Sequence, residues 1–570
     1  MITAILLIGC IATEPSQPVC RQLDNGLKLF VLEDHSLPLV SVQLWFGVGQ
    51  SNDPAGKAGL AAIAHAVLVA NVGGGEVASK PVSRTLYRES NFLHDACYYS
   101  EVGGADALGE LVHAVGRQLE TPVLDGDLCV AAVRRVLAER AGEATGIEWE
   151  DESRILAALF PEHPYRYPAG FVDDGVRQVT PEEIGRFLTK WFMPANATLF
   201  VMGDVSAERV IELTRALGEG ERKEPPSAPT FPMAAEETVR IEPANENAAA
   251  AVMAWRTAPL GFFENATIDV LMERLCNPID GRLYRRLMEA GCRAPTWEHY
   301  GAADAGVLIL LITRKDDSDI PASWESIVAT VDEEIGRAMA ETATPIELNR
   351  GRAQAGRRLL DERVTFQQRM REIAEHQVVA GDFALARYAA ARVASVDVGD
   401  LREAALALQE RRRAICFLKS APRSASLSDE SPVDSALPAE IAETREDRVT
   451  DRIKVMFRRT PGRELAEVRT VPVGKNVTPQ ACRAVAARGT ESWSAERLKD
   501  YLSFHGLDLA VVEEDGQCGF RSRGLVEKLD ALLEIHAGLA KRLVADTVEL
   551  TITADTKYEA IREAIGEAGF

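Results

Sequence analysis

The sequence predicts an α+β fold, and three of its features lead to that prediction. Residues 20–49 alternate apolar and polar side chains in the manner of a two-stranded hairpin. Residues 59–69 are small and apolar with no proline, which predicts a helix. The opening pattern returns late in the chain, because residues 452–457 (RIKVMF) parallel residues 26–31 (GLKLFV). A chain of 570 residues is also too long for one ordinary domain, so about three or four units are expected.

The composition is that of a soluble globular protein, with 46% hydrophobic and 26% charged residues. The net charge of −22 argues against nucleic acid or an anionic membrane as a partner, whereas a basic peptide would be compatible. Beyond the N-terminus no run of about 18 apolar residues occurs, so no transmembrane helix is expected. The nine cysteines show no C-x-x-C spacing, which predicts buried thiols rather than a zinc ribbon or a disulfide framework.

Further elements are expected between residues 83 and 144. A helix is predicted over residues 83–91. The strand expected over residues 93–102 rests on the family resemblance given below. Apolar residues at helical spacing predict a helix over 107–119 and a longer one over 125–144.

Three short segments complete the first 205 residues. Residues 160–170 read FPEHPYRYPAG, a loop that contains His163. Thr180 is followed three residues later by Glu183, which is the capping-box pattern of a helix N-terminus. Residues 194–205 read PANATLFVMGDV, and the strand expected there rests on the family resemblance given next.

These segments together resemble the insulinase/pitrilysin metallopeptidases, a family that includes the mitochondrial processing peptidases. The resemblance rests on LDNGLKLFVL at 23–32, VSVQLWFGVG at 40–49, the helix at 59–69, the loop at 160–170 and the strand at 194–205. It implies repeated halves, each an antiparallel sheet packed with helices, which form bowls that close around a peptide chamber.

The zinc motif of that family, H-x-x-E-H, falls on residues that do not match it. Its first His lies on Ala62, its catalytic Glu on His65 and its second His on Ala66. The family's third ligand, in a V-x-x-E pattern, matches Glu139. Two His at i and i+4 share one helix face and can reach one metal, and the Glu serves as base. We therefore expect no zinc and no catalytic base, with an altered zinc site at His65 and Glu139 as the alternative.

The family's substrate-holding Arg and Tyr are also unmatched. In the segment RLYRRLMEAGCRAP at 282–295, the Arg falls on Met288 and the Tyr on Ala294 or Pro295. Loss of a general base alone typically lowers the rate by about 10²–10⁴-fold. The resemblance therefore implies a catalytically degenerate member of the family.

Two other histidines are interpreted as structural. His163 is expected to order its loop. The sequence EIAEH at 372–376 differs from the zinc motif by one residue, and a solvated helix face is expected there.

Composition shifts and the resemblance divide the chain into six segments. Residues 216–236 and 421–446 are rich in Pro, Ser or charge and are predicted linkers. The segments are a possible leader and tether (1–19), a first half (20–215), a linker (216–236), a second half (237–420), a linker (421–446) and a partial repeat of the first-half type (447–570). The repeat stops short of a full half at Phe570, so either the chain is truncated or a partner supplies the rest.

The N-terminus resembles a bacterial lipoprotein signal, because an apolar run ends in LIGC with Cys10 as the residue that would be lipidated. The segment is short and has no Lys or Arg before Cys10, so a frayed terminus or an early strand is the alternative. The first interpretation predicts an exported, periplasmic or membrane-anchored bacterial protein, attached only through a lipid. The second predicts a soluble protein.

Three functions are compatible with these features. The preferred one is a non-catalytic subunit that binds peptide or completes the chamber of an active insulinase-type peptidase, or of a second copy in a homodimer. The second is an active zinc endopeptidase with an altered site. The third is a lipid-anchored structural domain of the bacterial envelope.

Overall fold

The computed structural model describes residues 17–565 with gaps. The residues left out of that range are 36, 74–84, 121, 123, 125, 143–146, 148, 173–178, 228–229, 242–246, 316–321, 362, 364–365, 420–442, 451–452, 460–464, 474–476, 491, 515–516, 544–546, 555–560 and 563. Cys10 lies outside the described residues. Within them, no helix is both long and apolar enough to cross a bilayer.

The first half is a six-stranded sheet with helices on one face. Its strand order is β1-β2-β6-β3-β5-β4, in which β2 and β6 run parallel and the other neighbours antiparallel. Its elements are β1 (Val19–Gln22), β2 (Lys28–Glu33), β3 (Leu39–Phe46), α1 (Leu60–Gly73), β4 (Thr85–Phe92), β5 (Cys97–Gly104), α2 (Leu108–Gly116), α3 (Gly126–Gly142), α4 (Trp149–Leu159), α5 (Pro181–Trp191), β6 (Ala197–Gly203) and α6 (Ala207–Thr214).

The helix predicted over residues 83–91 is wrong, because the described part of this segment, from residue 85 onward, belongs to β4. The strand lies at one end of the sheet order and pairs with β5 alone among the described strands. Its side chains are mostly half-buried on both faces, so the sequence lacks the alternation that marks a strand with one buried face.

The second half has a five-stranded sheet in the order β7-β11-β8-β10-β9, with one parallel pair, β7 and β11. Its elements are β7 (Thr238–Arg240), β8 (Ala250–Thr257), α7 (Phe263–Cys276), α8 (Arg282–Glu289), β9 (Thr296–Gly301), β10 (Gly306–Thr313), α9 (Trp324–Ala340), α10 (Pro345–Asp361), α11 (Phe366–Glu375), α12 (Ala384–Arg387), α13 (Ala389–Ser395), α14 (Val398–Glu410) and β11 (Arg413–Leu418).

The third unit repeats the strand order of the first half. Its sheet runs β12-β13-β17-β14-β16-β15, again with one parallel pair, β13 and β17. Its elements are β12 (Glu443–Thr450), β13 (Ile453–Arg459), β14 (Leu465–Val473), α15 (Pro479–Arg488), α16 (Ala495–Phe504), β15 (Ala510–Glu514), β16 (Gln517–Leu525), α17 (Leu529–Arg542) and β17 (Thr547–Ala554). The predicted α+β fold of repeated sheet-and-helix halves is therefore confirmed, with the parallel pairs as an unpredicted detail.

The two halves exchange helices. Helix α11 of the second half covers the face of the first sheet that α1 and α3 leave open, and there Met370 packs beside Trp45 and Tyr98. Helix α4 of the first half covers the second sheet, where Leu156 packs beside Val252. Helices thus cover both faces of the first sheet and of the second sheet, and the two halves form one continuous structure.

Polar contacts of α16 with α10 and with the segment between α7 and α8 join the third unit to the second half. Arg350 of α10 binds Asp500 of α16 at 2.9 Å and also pairs with Asp280. The Ser503 hydroxyl accepts from Asn277 at 3.2 Å, and the backbone carbonyl of Ser503 accepts from Gln354 at 3.1 Å. These contacts are polar. They therefore define the orientation of the third unit and bury little apolar surface.

Candidate functional site

Helix α1 carries the predicted site, and Asp53 caps its N-terminus. The Asp53 carboxylate accepts from the backbone N–H of Gly59 at 2.6 Å and of Ala61 at 2.7 Å. Gly59 has a φ of +101°, and a Cβ there would lie 2.4 Å from Val172 Cγ1. The entry into α1 is therefore defined by one carboxylate and by a glycine that no other residue can replace without strain.

Ala62 and Ala66 lie in the core of the first half rather than in a polar pocket. Their exposed fractions are 4% and 1%, and both belong to the apolar cluster between α1, α3, α5 and the first sheet. Their methyl groups have no atom that can bind a metal ion. The two positions therefore contribute packing.

His65 is buried between these alanines and the first sheet. Its ring stacks on Tyr99 with 4.8 Å between centroids, and Phe92 lies 5.8 Å away. The Tyr99 hydroxyl donates to the His65 carbonyl at 3.2 Å. The Nε2 atom of His65 is buried and has no hydrogen-bond partner among the described residues.

Burial, reinforced by the charge of Arg135, lowers the pKa of His65 to about 3. The ring is therefore neutral at physiological pH. Arg135 lies on α3, one helical turn before Glu139. The side chain of Glu139 is outside the described residues, although its backbone belongs to α3.

The described residues do not fit a zinc ion. Structural and catalytic zinc sites use at least three protein ligands, and here one neutral imidazole nitrogen is the available donor on α1. Among the parts of the chain that the structure describes, no group of three His, Cys, Asp or Glu side chains could hold a metal.

The predicted substrate-clamp positions lie on and just after α8. Met288 is half-buried near the end of the helix, and Ala294 is exposed. The nearby Arg286 is held by Glu333 at 2.7 Å and Glu334 at 2.9 Å on α9. None of these side chains matches a carbonyl clamp.

The loop at 160–170 fastens the two halves to each other. The His163 Nε2 atom lies 3.1 Å from Asp304 of the second half. The Tyr165 hydroxyl donates to Asp95 at 2.6 Å and accepts from the Asp304 backbone N–H at 3.1 Å. The role expected for His163, ordering of its loop, agrees with these contacts.

Sequence reasoning missed a cleft of about 280 Å³ in the second half, between α7, β9, α10 and α11. In it the Asp269 carboxylate lies 2.7 Å from His299 Nδ1, and His299 Nε2 lies 3.0 Å from the Thr257 hydroxyl. The connectivity is that of a catalytic triad, but Thr257 is only 2% exposed, so its oxygen is not available to a substrate. These residues are 12 and 30 positions apart in sequence, on three elements, and no motif signals them.

The EIAEH segment also contributes to this cleft, which corrects the predicted solvated helix face. Ala374 is buried against the first sheet, and Glu372 pairs with Arg363. His376 lines the cleft, with its Nδ1 2.9 Å from the Glu372 carbonyl. Ala374 is covered because α11 crosses from the second half to the first, whereas Glu372 and His376 line the cleft.

Comparisons with known proteins agree with this architecture. Residues 178–355 match the family model described as Peptidase M16 inactive domain. The zinc protease PqqE of Helicobacter pylori is 24% identical over 208 residues, which are 34% of this chain and 45% of that protein. The chain spans less than half the length of the curated relatives that it matches.

Two solved structures share the fold. Pitrilysin superposes with a TM-score of 0.60 and 14% identity over 97% of this chain and 64% of its own. A peptidase M16 inactive domain from Pseudomonas fluorescens superposes with a TM-score of 0.59 and 14% identity over 72% of this chain and 99% of its own. The sequence of residues 178–355 is thus similar to that of an inactive-type M16 peptidase domain. In fold, the chain is similar to pitrilysin and to the inactive domain from Pseudomonas fluorescens.

Proposed function

We propose that this protein is a non-catalytic subunit that binds extended peptides and works beside an active zinc peptidase of the same fold. The observation that carries the proposal is the state of helix α1. It presents two buried methyl groups, at Ala62 and Ala66, and a neutral imidazole, at His65, where hydrolysis would need metal ligands and a base.

Peptide binding is supported by the edge of the first sheet and the cleft beside it. Strand β4 has one paired neighbour among the described strands, and an extended peptide can add to such an edge through backbone hydrogen bonds. Arg371, which lines the cleft, lies 3.8 Å from Glu89 of β4. A peptide paired with β4 would therefore place its side chains at the mouth of the cleft, where Phe262 is 58% exposed.

Direct binding of a peptide tests the first part of the proposal. A fluorescent, unstructured lysine-rich peptide is the probe, because the protein carries a net charge of −22. We expect saturable anisotropy that weakens with salt, and weaker binding to the Phe262→Ser variant. Met233→Ser, at a 39% exposed methionine outside the cleft lining, is the matched control. Equal binding by both variants would show that the cleft is not involved.

The altered zinc enzyme is the second candidate, favoured by the unpartnered Nε2 of His65. Metal content after dialysis against zinc separates it from the first. We expect far less than one zinc per chain and no peptide cleavage. One zinc per chain, lost in both His65→Ala and Glu139→Ala together with cleavage, would establish the second candidate instead.

An active partner would supply the zinc motif that α1 does not contain, and a second copy of this chain would not. Affinity capture of the full chain, followed by a cleavage assay with and without EDTA, tests this. We expect an associated chain with H-x-x-E-H and EDTA-sensitive cleavage. A homodimer without activity would contradict the partner and leave peptide binding as the function.

Lipid attachment through Cys10 is proposed separately, on the basis of the LIGC sequence alone. Fatty-acid labelling of the wild type in a bacterial host, lost in Cys10→Ser, would establish it. Unlabelled protein in the soluble fraction would contradict it.

A further inference from the structure

Two cysteines that are 36 residues apart in the sequence meet inside the third unit. Cys482 lies on α15 and Cys518 on β16, and their Sγ atoms are 3.2 Å apart. Both residues are buried, with exposed fractions of 0% and 4%. Sequence spacing did not predict this pair, because the two residues belong to different elements.

The surroundings hold the two thiols face to face. Trp493, Leu498, Phe520 and Ile535 pack around them in one apolar cluster. The N-terminus of α15 is capped by the Thr478 hydroxyl, which accepts from the Ala481 backbone N–H at 3.1 Å. Arg483, the next residue on α15, pairs with Glu513 of β15. The approach of the sulfur atoms is thus supported by contacts on both sides of Cys482.

We propose that Cys482 and Cys518 form a disulfide when the protein meets a disulfide-bearing oxidant such as oxidised glutathione. Closure needs the sulfur separation to fall from 3.2 Å to about 2.0 Å. The bond would tie α15 to the sheet and close a loop of 36 residues, which restricts the unfolded third unit.

The thiol–disulfide exchange with oxidised glutathione proceeds in two steps. One cysteine thiolate attacks a sulfur of oxidised glutathione, forms a mixed disulfide and releases one glutathione thiolate. The second cysteine thiolate attacks the protein sulfur of the mixed disulfide, forms the Cys482–Cys518 bond and releases the other. The two protons lost by the cysteines end on the two released glutathiones, and two electrons pass from the protein to the oxidant.

The buried position makes the reaction slow in the folded protein. Burial raises the pKa of Cys482 to about 12, so little thiolate is present at neutral pH. Oxidation should therefore be faster at alkaline pH, and fastest during refolding, before α15 docks on the sheet.

The experiment uses the full chain, fully reduced and then refolded in a glutathione redox buffer. We expect two fewer free thiols after denaturation than in the reduced sample, and a cross-linked peptide pair containing Cys482 and Cys518 by mass spectrometry. The Cys482→Ser variant should keep all its remaining thiols, whereas Cys276→Ser, at a buried thiol of the second half, should still lose two.

A second readout distinguishes the bond from oxidation at other sites. Oxidation should raise the thermal midpoint of the third unit in the wild type and leave that of Cys482→Ser unchanged. A cross-link to another cysteine, glutathione adducts that do not resolve, or unchanged thiols even after refolding would each overturn the proposal. If the Cys482→Ser variant does not fold, the number of free thiols in the wild type still tests whether the disulfide forms.

Discussion

His163 and Asp304 are 141 residues apart in sequence and 3.1 Å apart in space, and their contact joins the two halves. The His163 Nδ1 atom accepts from the Tyr165 backbone N–H at 3.2 Å, so the neutral ring carries its proton on Nε2 and donates it to Asp304. Burial lowers the pKa of His163 despite this carboxylate, which favours the neutral ring. The loop that resembles the peptidase family is thus a fastening between halves.

Removing the Tyr165 hydroxyl should weaken this fastening. Tyr165→Phe deprives the Asp304 backbone N–H of its acceptor and Asp95 of one of its donors. The expected loss of unfolding free energy is about 1–3 kcal/mol, because buried polar groups lose a partner. Urea unfolding measures it, with Tyr388→Phe at a 59% exposed tyrosine as control. Equal stabilities of the two variants would contradict a fastening role.

The exchange of helices predicts that a side chain of the second half stabilises the first. Met370 is fully buried between α11 and the first sheet, so Met370→Ala should cost about 2–5 kcal/mol. Trp45 lies on the sheet face that α11 covers. Its fluorescence should change at a lower denaturant concentration in Met370→Ala than in the wild type. Met233→Ala, at an exposed methionine, should change stability by less than about 0.5 kcal/mol. A loss confined to the second half would refute the covering role of α11.

Acid should destabilise the first half through His65. Its pKa is about 3 when folded and near 6.5 when unfolded, so the unfolded state binds more protons between these values and stability falls as the pH decreases. From pH 8 to pH 5 the loss should be about 2 kcal/mol, measured by urea unfolding.

The His65→Leu variant should show a shallower dependence of stability on pH over this range. His35→Gln is the control. Contact with Asp204 raises the pKa of the exposed His35, so this residue adds stability at low pH and its removal cannot flatten the profile. Identical profiles for the wild type and His65→Leu would mean that His65 is not buried as described.

The cap of α1 predicts a stability cost at Asp53. Asp53→Ala leaves two backbone N–H groups at the start of the helix without their carboxylate, and also removes the partner of Gln50 at 2.8 Å. The expected loss is about 1–2 kcal/mol in thermal or urea unfolding. Asp24→Ala, at an exposed aspartate, should be close to neutral. A neutral Asp53→Ala would show that α1 is held by packing alone.

Local sequence patterns predicted the elements whose signals are local. The helix over 125–144 appears as α3, and the Thr180 capping box is formed, with Glu183 N to Thr180 Oγ1 at 3.3 Å and Thr180 N to Glu183 Oε2 at 3.1 Å. Strand β4 was missed because an edge strand that is half-buried on both faces shows neither helical nor alternating periodicity.

The cleft around His299 and the thiol pair at Cys518 were beyond prediction for a different reason. Each brings together residues of different strands and helices, and the pairing of elements follows from the topology of the sheets rather than from spacing along the chain. The packing of α4 on the second sheet and of α11 on the first sheet was not predictable from the sequence for the same reason.

Side-chain identity alone established that Ala62 and Ala66 offer no metal-binding atom, since a methyl group has none in any fold. The sequence also contains the motifs that resemble the insulinase/pitrilysin peptidases. It predicted the order of the first elements because helix caps and hydrophobic periodicity act over a few residues. Whether His65 is charged, what covers each sheet and which cysteines meet depended on the tertiary structure. Desolvation and contact arise from residues that are distant in sequence and become neighbours only when the chain is folded.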